Sequence, residues 1–564
     1  MPTKLPVRVD LDPKNKRQSP EERDLLKALD DLEAEGAEHR KRWADPKDVE
    51  RDIKLYRGEV GPPGRDPYFE CNFIQAFIDR MTAQLTDNRP IIRVEPRKAG
   101  LRGVAQVASK VVGAYWDDQK MQRQTYRMAH NAAIQRSAGM YTGRDGQEVI
   151  ELSQVGFDPM VQEAALITQA EYRWIERVKP VSELMTLFPG RGAEVKPDVT
   201  VGRKDGSSRS MILSPLSDLL KGRSEVRDAV GRAKVQEWLV KDRQRSPGGA
   251  PMFPNGRMIL RTKDLLLWDG PNPFWDGEDP LDWFDWCCDP EHPFGISEPS
   301  QLMRMQLAFN QLMDGTISNQ ILTNIFMIVG DWDAVDESTW KRFQKLDNSL
   351  IIRKRNRNAT LTPTPPIPFG ADRIQMARFI FTMAQLKTGV TDVTLGESPG
   401  SLQSGQAIEG LVEGANLMTR SRASRLEDFF ARVGSKLLSR TFQFKTADQV
   451  ISMVGPTGDA VDYAIKRQEF FTDDQGQALS DEERTEVFKH MRFIVAPGSS
   501  GPGTKQRRGE TAFKGYAAGL IPGKHVLQAW DYPDAENTYK EAREEAKTRS
   551  PEEAKGLQAA AGLR

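Results

Sequence analysis

The stretch that most resembles an active site is Phe493-Ile494-Val495-Ala496-Pro497-Gly498-Ser499-Ser500-Gly501-Pro502-Gly503-Thr504-Lys505. An apolar strand, a glycine loop and a helical stretch follow one another, the setting in which backbone amides cradle phosphate. Gly498 and Gly503 carry the G-x-x-x-x-G spacing. A nucleotide loop then continues with Lys and Ser/Thr, so that an ammonium reaches the phosphates and a hydroxyl holds magnesium. Here Thr504 and Lys505 stand in the reverse order, and Gln506 offers no hydroxyl. Pro497 and Pro502 also remove amide donors. These departures favour a flexible connector over a nucleotide site.

Cys287-Cys288-Asp289-Pro290-Glu291-His292 mixes soft and hard ligands. Adjacent cysteines lack zinc spacing and no second ligand pair follows, so the pair reads as two small buried apolar residues before a turn. The five histidines, His39, His130, His292, His490 and His525, are scattered, and none accompanies a G-x-S-x-G nucleophile. Asp331-Trp332-Asp333 is a lone carboxylate pair in a turn. No catalytic residue, metal or cofactor is expected from these constellations. The densest basic run is Arg353-Lys354-Arg355-Asn356-Arg357. On a single chain it reads as a solvated loop. Repeated around a ring, it becomes a positive belt that can touch phosphates or an acidic partner.

The elements that must carry these residues are legible in the periodicity. Ser19-Pro20-Glu21-Glu22 predicts a helix start, and Leu25, Leu26, Leu29 and Leu32 follow at helical spacing. Residues 1–18 read as a loose arm. Residues 70–87 predict a helix with Ile74, Phe77, Ile78, Met81 and Leu85 on one face. Pro90 to Pro96 predicts a short strand, and residues 103–138 one long helical stretch ending at Gly139. Residues 140–295 read as α+β, with strands at Val235–Val240 and Met258–Leu260 and turn chemistry at Pro254-Asn255-Gly256-Arg257. Residues 296–326 predict a helix poor in charge and rich in amides and Met. Such a helix must be mostly covered, and copies of the same chain are the expected cover. Further along come a small helix around Trp340 and Phe343, a strand at Leu350–Ile352, a proline connector at Thr362–Pro368 and a second helix over 371–388. A Gly/Ser loop over 391–404 precedes a long helix over 405–444, with Gly410, Gly414 and Gly434 as kink candidates. Residues 445–497 are strand-rich, and 509–549 read as short helices broken at Pro522 and Pro533.

At 564 residues the chain has room for three or four domains. Eighty basic and eighty acidic residues cancel, which excludes a whole-chain basic footprint for nucleic acid. Three cysteines cannot form a disulfide framework and suit a reducing compartment. No signal peptide or membrane span is expected, and hence no membrane partner.

The order of segments resembles the portal proteins of tailed bacteriophages over nearly the whole chain. Asn72-Phe73-Ile74 with Asn88-Arg89-Pro90-Ile91-Ile92-Arg93-Val94 is similar to the family's early helix and strand. Ala132-Ala133-Ile134-Gln135-Arg136-Ser137-Ala138-Gly139 resembles its helix-to-glycine step. Pro254–Arg257 with Asp269-Gly270-Pro271-Asn272-Pro273 resembles the strand pair before the stem. His292-Pro293-Phe294-Gly295-Ile296-Ser297-Glu298-Pro299, leading into Gln306 and Asn310, resembles the start of the portal stem helix. A second helix, a Gly/Ser loop with Ser404-Gly405-Gln406-Ala407 and a long helix follow in the family's order.

The resemblance implies an α+β, mainly helical, multi-domain fold of wing, stem, clip and crown that forms a ring, a dodecamer, around a central channel. It places the wing at 1–295, stem helix one at 296–325, the clip at 326–370 and stem helix two at 371–390. The tunnel loop falls at 391–404, the long tunnel helix at 405–444, a C-terminal wing part at 445–508 and the crown at 509–564. Expected ring-forming stem residues are Phe309, Leu312, Ile374 and Ile380. Expected channel-loop residues are Glu397, Ser398, Gly400, Ser401, Gln403 and Ser404. Expected clip residues, for docking and close to DNA, are Arg353, Lys354, Arg355, Arg357, Trp340 and Phe343. The implied partners are other copies of the chain, double-stranded DNA passing without sequence preference, the terminase large subunit, head-completion and tail adaptor proteins, and capsid and scaffolding proteins. The implied location is the capsid portal vertex of the virion, after assembly in the host cytoplasm. Other readings are a different virion connector or internal head protein, or a phosphate-loop ATPase of the packaging motor. The reversed Thr504-Lys505 order counts against the last.

Overall fold

In a computed structural model, the described residues are 18–59, 69–87, 90, 92–98, 101–144, 146–199, 230–245, 249–324, 328–330, 361–363, 371–390, 417–444, 449–454, 460–465, 486, 488–495, 504–529 and 539. Three helices come first: α1 (Pro20–Trp43), α2 (Pro46–Arg57) and α3 (Phe73–Thr86). Strand β1 (Ile92–Pro96) leads to α4 (Arg102–Asp118) and α5 (Met121–Gln135). Strands β2 (Ser137–Thr142), β3 (Gln147–Glu151), β4 (Val155–Phe157) and β5 (Tyr172–Pro180) precede the short α6 (Val181–Leu187). Then come β6 (Arg232–Val240), β7 (Arg257–Arg261), β8 (Leu266–Pro271), β9 (Leu281–Asp285) and the long α7 (Glu298–Asn324). Beyond it lie β10 (Ile328–Gly330), β11 (Leu361–Pro363), α8 (Ala371–Thr388) and α9 (Leu417–Phe444). The last elements are β12 (Gln449–Val454), β13 (Ala460–Ile465), β14 (Met491–Val495), α10 (Thr504–Ala517) and α11 (Gly523–Ala529). Among the described residues, helix exceeds strand, as an α+β, mainly helical chain requires.

Local chemistry sets the element ends. The Ser19 hydroxyl accepts from Glu22 N–H at 3.1 Å and caps α1, with Pro20 in the first turn. Asp45 and Asn72 cap α2 and α3 in the same way. The α3 face named from periodicity, Ile74, Phe77, Ile78, Met81 and Leu85, is buried throughout. The single helix expected over 103–138 is instead two. Lys120 takes φ +50, a left-handed conformation that ends α4 and starts α5, and no glycine or proline signals it. Nor does Gly139 terminate a helix. It sits inside β2, where a Cβ would lie 2.5 Å from the Trp283 ring and 2.7 Å from the Asp282 carbonyl.

The larger sheet is an antiparallel meander, β4-β5-β6-β7-β8, and includes the expected β6–β7 pair with Trp238 opposite Ile259. Helix α1 lies on it. Leu25 and Leu29 pack against Tyr172, Trp174, Trp238 and Ile259, and Trp174 stacks on Trp238 at 4.9 Å. A second sheet, β3-β2-β9, packs under α5 and α9. Strand β1 pairs antiparallel with β14 across most of the chain length, with Val94 opposite Phe493. That pairing places the glycine loop after a strand of a two-stranded antiparallel ribbon, whereas phosphate loops follow strands of parallel sheets. The Thr362–Pro368 connector begins as β11, which pairs with β10. The main core gathers α3, α5, α7, α8 and α9 around Ile74, Ile78, Met128, Leu302, Leu426 and Phe429.

Candidate assembly face

Helix α7 is fastened to the body at its first three turns. Ser297 is fully buried, and its Oγ accepts from Ser300 N–H at 3.3 Å while its hydroxyl donates to the buried Asp52 carboxylate of α2 at 2.5 Å. Burial pushes the Asp52 carboxyl above its usual range, and the Ser297 hydroxyl with Arg136 and Arg51 pulls the other way. Glu298 is also buried. It accepts from Trp286 Nε1 at 2.8 Å and pairs with Arg422 of α9 at 3.2 Å, with the Arg422 guanidinium 4.6 Å above the Trp286 ring. Two turns on, Gln306 Oε1 accepts from the Phe73 and Ile74 amides at 3.1 and 3.3 Å. Its amide nitrogen donates to the Cys71 carbonyl and to Asn310 Oδ1. An α7 side chain thus satisfies the first amides of α3, donors that a helix cannot satisfy within itself.

Helix α8 runs beside α7 and has two apolar sides. Ala377, Ala384 and Thr388 are buried, and Phe381 meets Phe73 and Phe77 at 5.8 and 5.7 Å. On another side Met376, Phe379 and Leu386 are 52, 57 and 58% exposed, and Leu307 of α7 is 38% exposed. Scattered exposed apolar residues are ordinary. Three large ones on one helix whose opposite side is already packed form a surface that suits a partner.

Helix α9 carries a row of cations at 422, 425, 432, 436 and 440, all turned to acids of the segment 276–298. Arg425 pairs with Asp285 at 2.9 Å, Lys436 with the fully buried Asp282 at 2.8 Å, and Arg440 with Asp276 at 2.5 Å. Arg432 lies 3.4 Å from Asp282. These cations face the protein's own carboxylates. The described part of the long helix is a buried strut, with Leu426, Phe429, Phe430 and Val433 in the core and Gly434 buried on it.

Of the expected ring-forming residues, Phe309 packs inside the chain, 5.6 Å from Phe73 and 6.3 Å from Phe381. Leu312, Ile374 and Ile380 are half-buried. Of the exposed set, periodicity over 371–388 names Phe379 but not Leu307, Met376 or Leu386, because apolar residues are spread widely around α8 instead of forming one face. The expected channel-loop residues Glu397, Ser398, Gly400, Ser401, Gln403 and Ser404 lie outside the described residues, as do the clip residues Arg353, Lys354, Arg355, Arg357, Trp340 and Phe343. Residues 1–17, the strand expected at Leu350–Ile352, Asp331–Asp333, Gly410 and Gly414 also lie outside them. The cysteine pair departs from its expected burial: Cys287 is half-buried and Cys288 exposed. Among the described residues, no three His, Cys, Asp or Glu side chains converge as a metal site. Nor is any helix there long and apolar enough to cross a membrane. His130 joins a small polar cluster that sequence spacing does not reveal. Its Nε2 lies 3.0 Å from Tyr56 Oη, which donates to Asp79 at 2.8 Å. Burial and the Asp79 carboxylate raise the Tyr56 phenol pKa, the wrong direction for a nucleophile, so the cluster ties α2, α3 and α5 together.

Residues 321–562 match the family model of the Phage P22-like portal protein. No curated protein matches the chain. The matched span runs from the last turn of α7 through α8, α9 and the C-terminal strands and helices. Over residues 321–562 the chain is therefore similar to the P22-like portal proteins of bacteriophages, the family that the order of its segments resembles.

Proposed function

We propose that this chain is the subunit of a ring at the unique vertex of a phage capsid, and that the ring's channel passes double-stranded DNA during packaging and ejection. The family match carries this reading. The two-sided apolar character of α8 supports a ring built by side-by-side copies, with Met376, Phe379 and Leu386 as the outward contact. On this reading α7 and α8 are the stem, the segment between them is the clip, and 391–404 is the tunnel loop. The clip docks the terminase large subunit and later the head-completion and tail adaptor proteins. Capsid and scaffolding proteins surround the ring, which ends in the virion after assembly in the host cytoplasm. Twelve copies are the expected number. The role is structural rather than catalytic. An equal count of basic and acidic residues supports it, since a channel that held phosphates tightly would retard sliding. Negative-stain microscopy of the purified full chain tests the proposal: closed rings with a central hole are expected, and a protein that stays monomeric at micromolar concentration overturns it.

A further inference from the structure

Two histidines outside the assembly face meet where the chain enters α7. His39 lies near the end of α1, and His292 lies in the linker 286–297 between β9 and α7. The His292 ring sits 4.8 Å from Trp43 and 5.9 Å from Phe294. The His39 ring sits 5.6 Å from Phe294, which stacks on Phe157 at 5.3 Å. The buried Nδ1 of each histidine has no hydrogen-bond partner among the described residues.

Charged groups face the pair from each surrounding element. Helix α1 contributes Arg42, the turn after β4 contributes Asp158, and the α5–β2 junction contributes Arg136. The linker itself brings Asp289, 3.6 Å from His292 Nε2, and Glu291. Beyond the ring contacts, the bonds to the rest of the chain gather at the two ends of the linker: Trp286 Nε1 donates to Glu298, Arg425 donates to the Trp286 carbonyl at 2.9 Å, and Ser297 donates to Asp52. Trp286 N–H donates to the Arg136 carbonyl at 2.9 Å, and Ile296 N–H to the Cys287 carbonyl at 3.0 Å. Arg136 holds φ +84, a strained conformation for a residue with a side chain.

We propose that His39 and His292 form a proton-operated latch that holds the 286–297 linker against α1 while both rings are neutral, and that proton uptake by either ring loosens the entry to α7. A proton on either ring places a cation among aromatic side chains, beside a second imidazole and an arginine, with a buried nitrogen that has no acceptor. Burial is the first cause lowering both pKa values below 6.5; the neighbouring imidazole and Arg42 add to it at His39, and Arg136 at His292. The sign follows from linkage. A base whose folded pKa is depressed contributes its full stability above pH ~6.5, and that stability is lost as pH falls from there through the folded value. Asp52 at the same junction works the other way. Its raised pKa means that the folded state favours its protonated form, so acid loosening is not the work of Asp52.

The experiment is hydrogen–deuterium exchange on the purified full chain between pH 7.5 and 5, corrected for the intrinsic pH dependence of exchange. Exchange in 286–297 is expected to rise by about tenfold across the window while α3 stays protected. His39→Phe with His292→Phe keeps ring packing and removes titration, so the rise should vanish. His39→Gln with His292→Gln serves the same end should the first pair misfold. Asp289→Asn removes the carboxylate that raises the His292 value, so the loss should begin at the same pH, continue further into acid, and give a larger rise in exchange. A linker whose exchange stays flat in the wild type, or rises equally in the doubly substituted protein, overturns the latch.

Discussion

Gly139 illustrates how a residue can be legible as special while its reason stays hidden. In the sequence it looks like the stop of a helix, because glycine commonly follows one. In the fold it is a point of close approach, with the Trp283 ring and the Asp282 carbonyl both inside the space a Cβ would need. One of those neighbours is backbone, so it cannot turn aside. Gly139→Ala is therefore expected to cost about 1–3 kcal/mol, as overpacking does. It should appear as a lower urea midpoint with an unchanged slope. A midpoint equal to the wild type would mean that β2 and β9 separate without strain. The cation row of α9 shows the opposite limit. Arg422, Arg425, Arg432, Lys436 and Arg440 have helical spacing that is open to inspection. Their acids lie some 125–165 residues earlier in the chain, as the 164-residue separation of Arg440 from Asp276 illustrates. Spacing within one helix cannot name partners brought by a separate strand.

At the scale of elements, periodicity found α1, α3, α7, α8 and the described part of α9, because each buries at least one apolar side. It missed the break between α4 and α5, where the only mark is a lysine in a left-handed conformation. It also left unmarked which apolar residues of α7 and α8 serve the chain's own core. The structure separates these sets, and the separation can be tested. Phe379→Asp alters an exposed side of α8, so the subunit should keep its helical circular dichroism and its melting temperature while rings fall apart in sedimentation. Phe309→Asp places a charge among Phe73, Phe381 and Phe69, and should destabilise the subunit itself by about 3–5 kcal/mol. If rings of Phe379→Asp sediment with wild-type mass, α8 does not supply the contact between copies.

At the scale of the whole molecule, eighty cations balance eighty anions, so any electrostatic work must come from where charges gather and how often they repeat. The α9 cations are spent on the protein's own carboxylates. Arg353, Lys354, Arg355 and Arg357 are the densest remaining run, and they lie within the span matched to the portal family. In one subunit their field is screened within about 8–10 Å. In a ring the same four charges recur at each copy, and the potentials of neighbouring runs overlap into a belt. Trp340 and Phe343 lie nearby in sequence, and on the proposed reading they are the apolar anchors, aromatic residues being the kind that dominate protein interfaces together with arginine. Exchanging all four basic residues for glutamine should therefore leave ring assembly intact, because the apolar side of α8 is untouched. The fault should appear later, as heads that fail to fill with DNA or filled heads without tails. Counting DNA-filled and tailed particles by microscopy after complementation separates the two. Normal filling and normal tail attachment would mean that the run is a solvated loop and that docking rests on other residues.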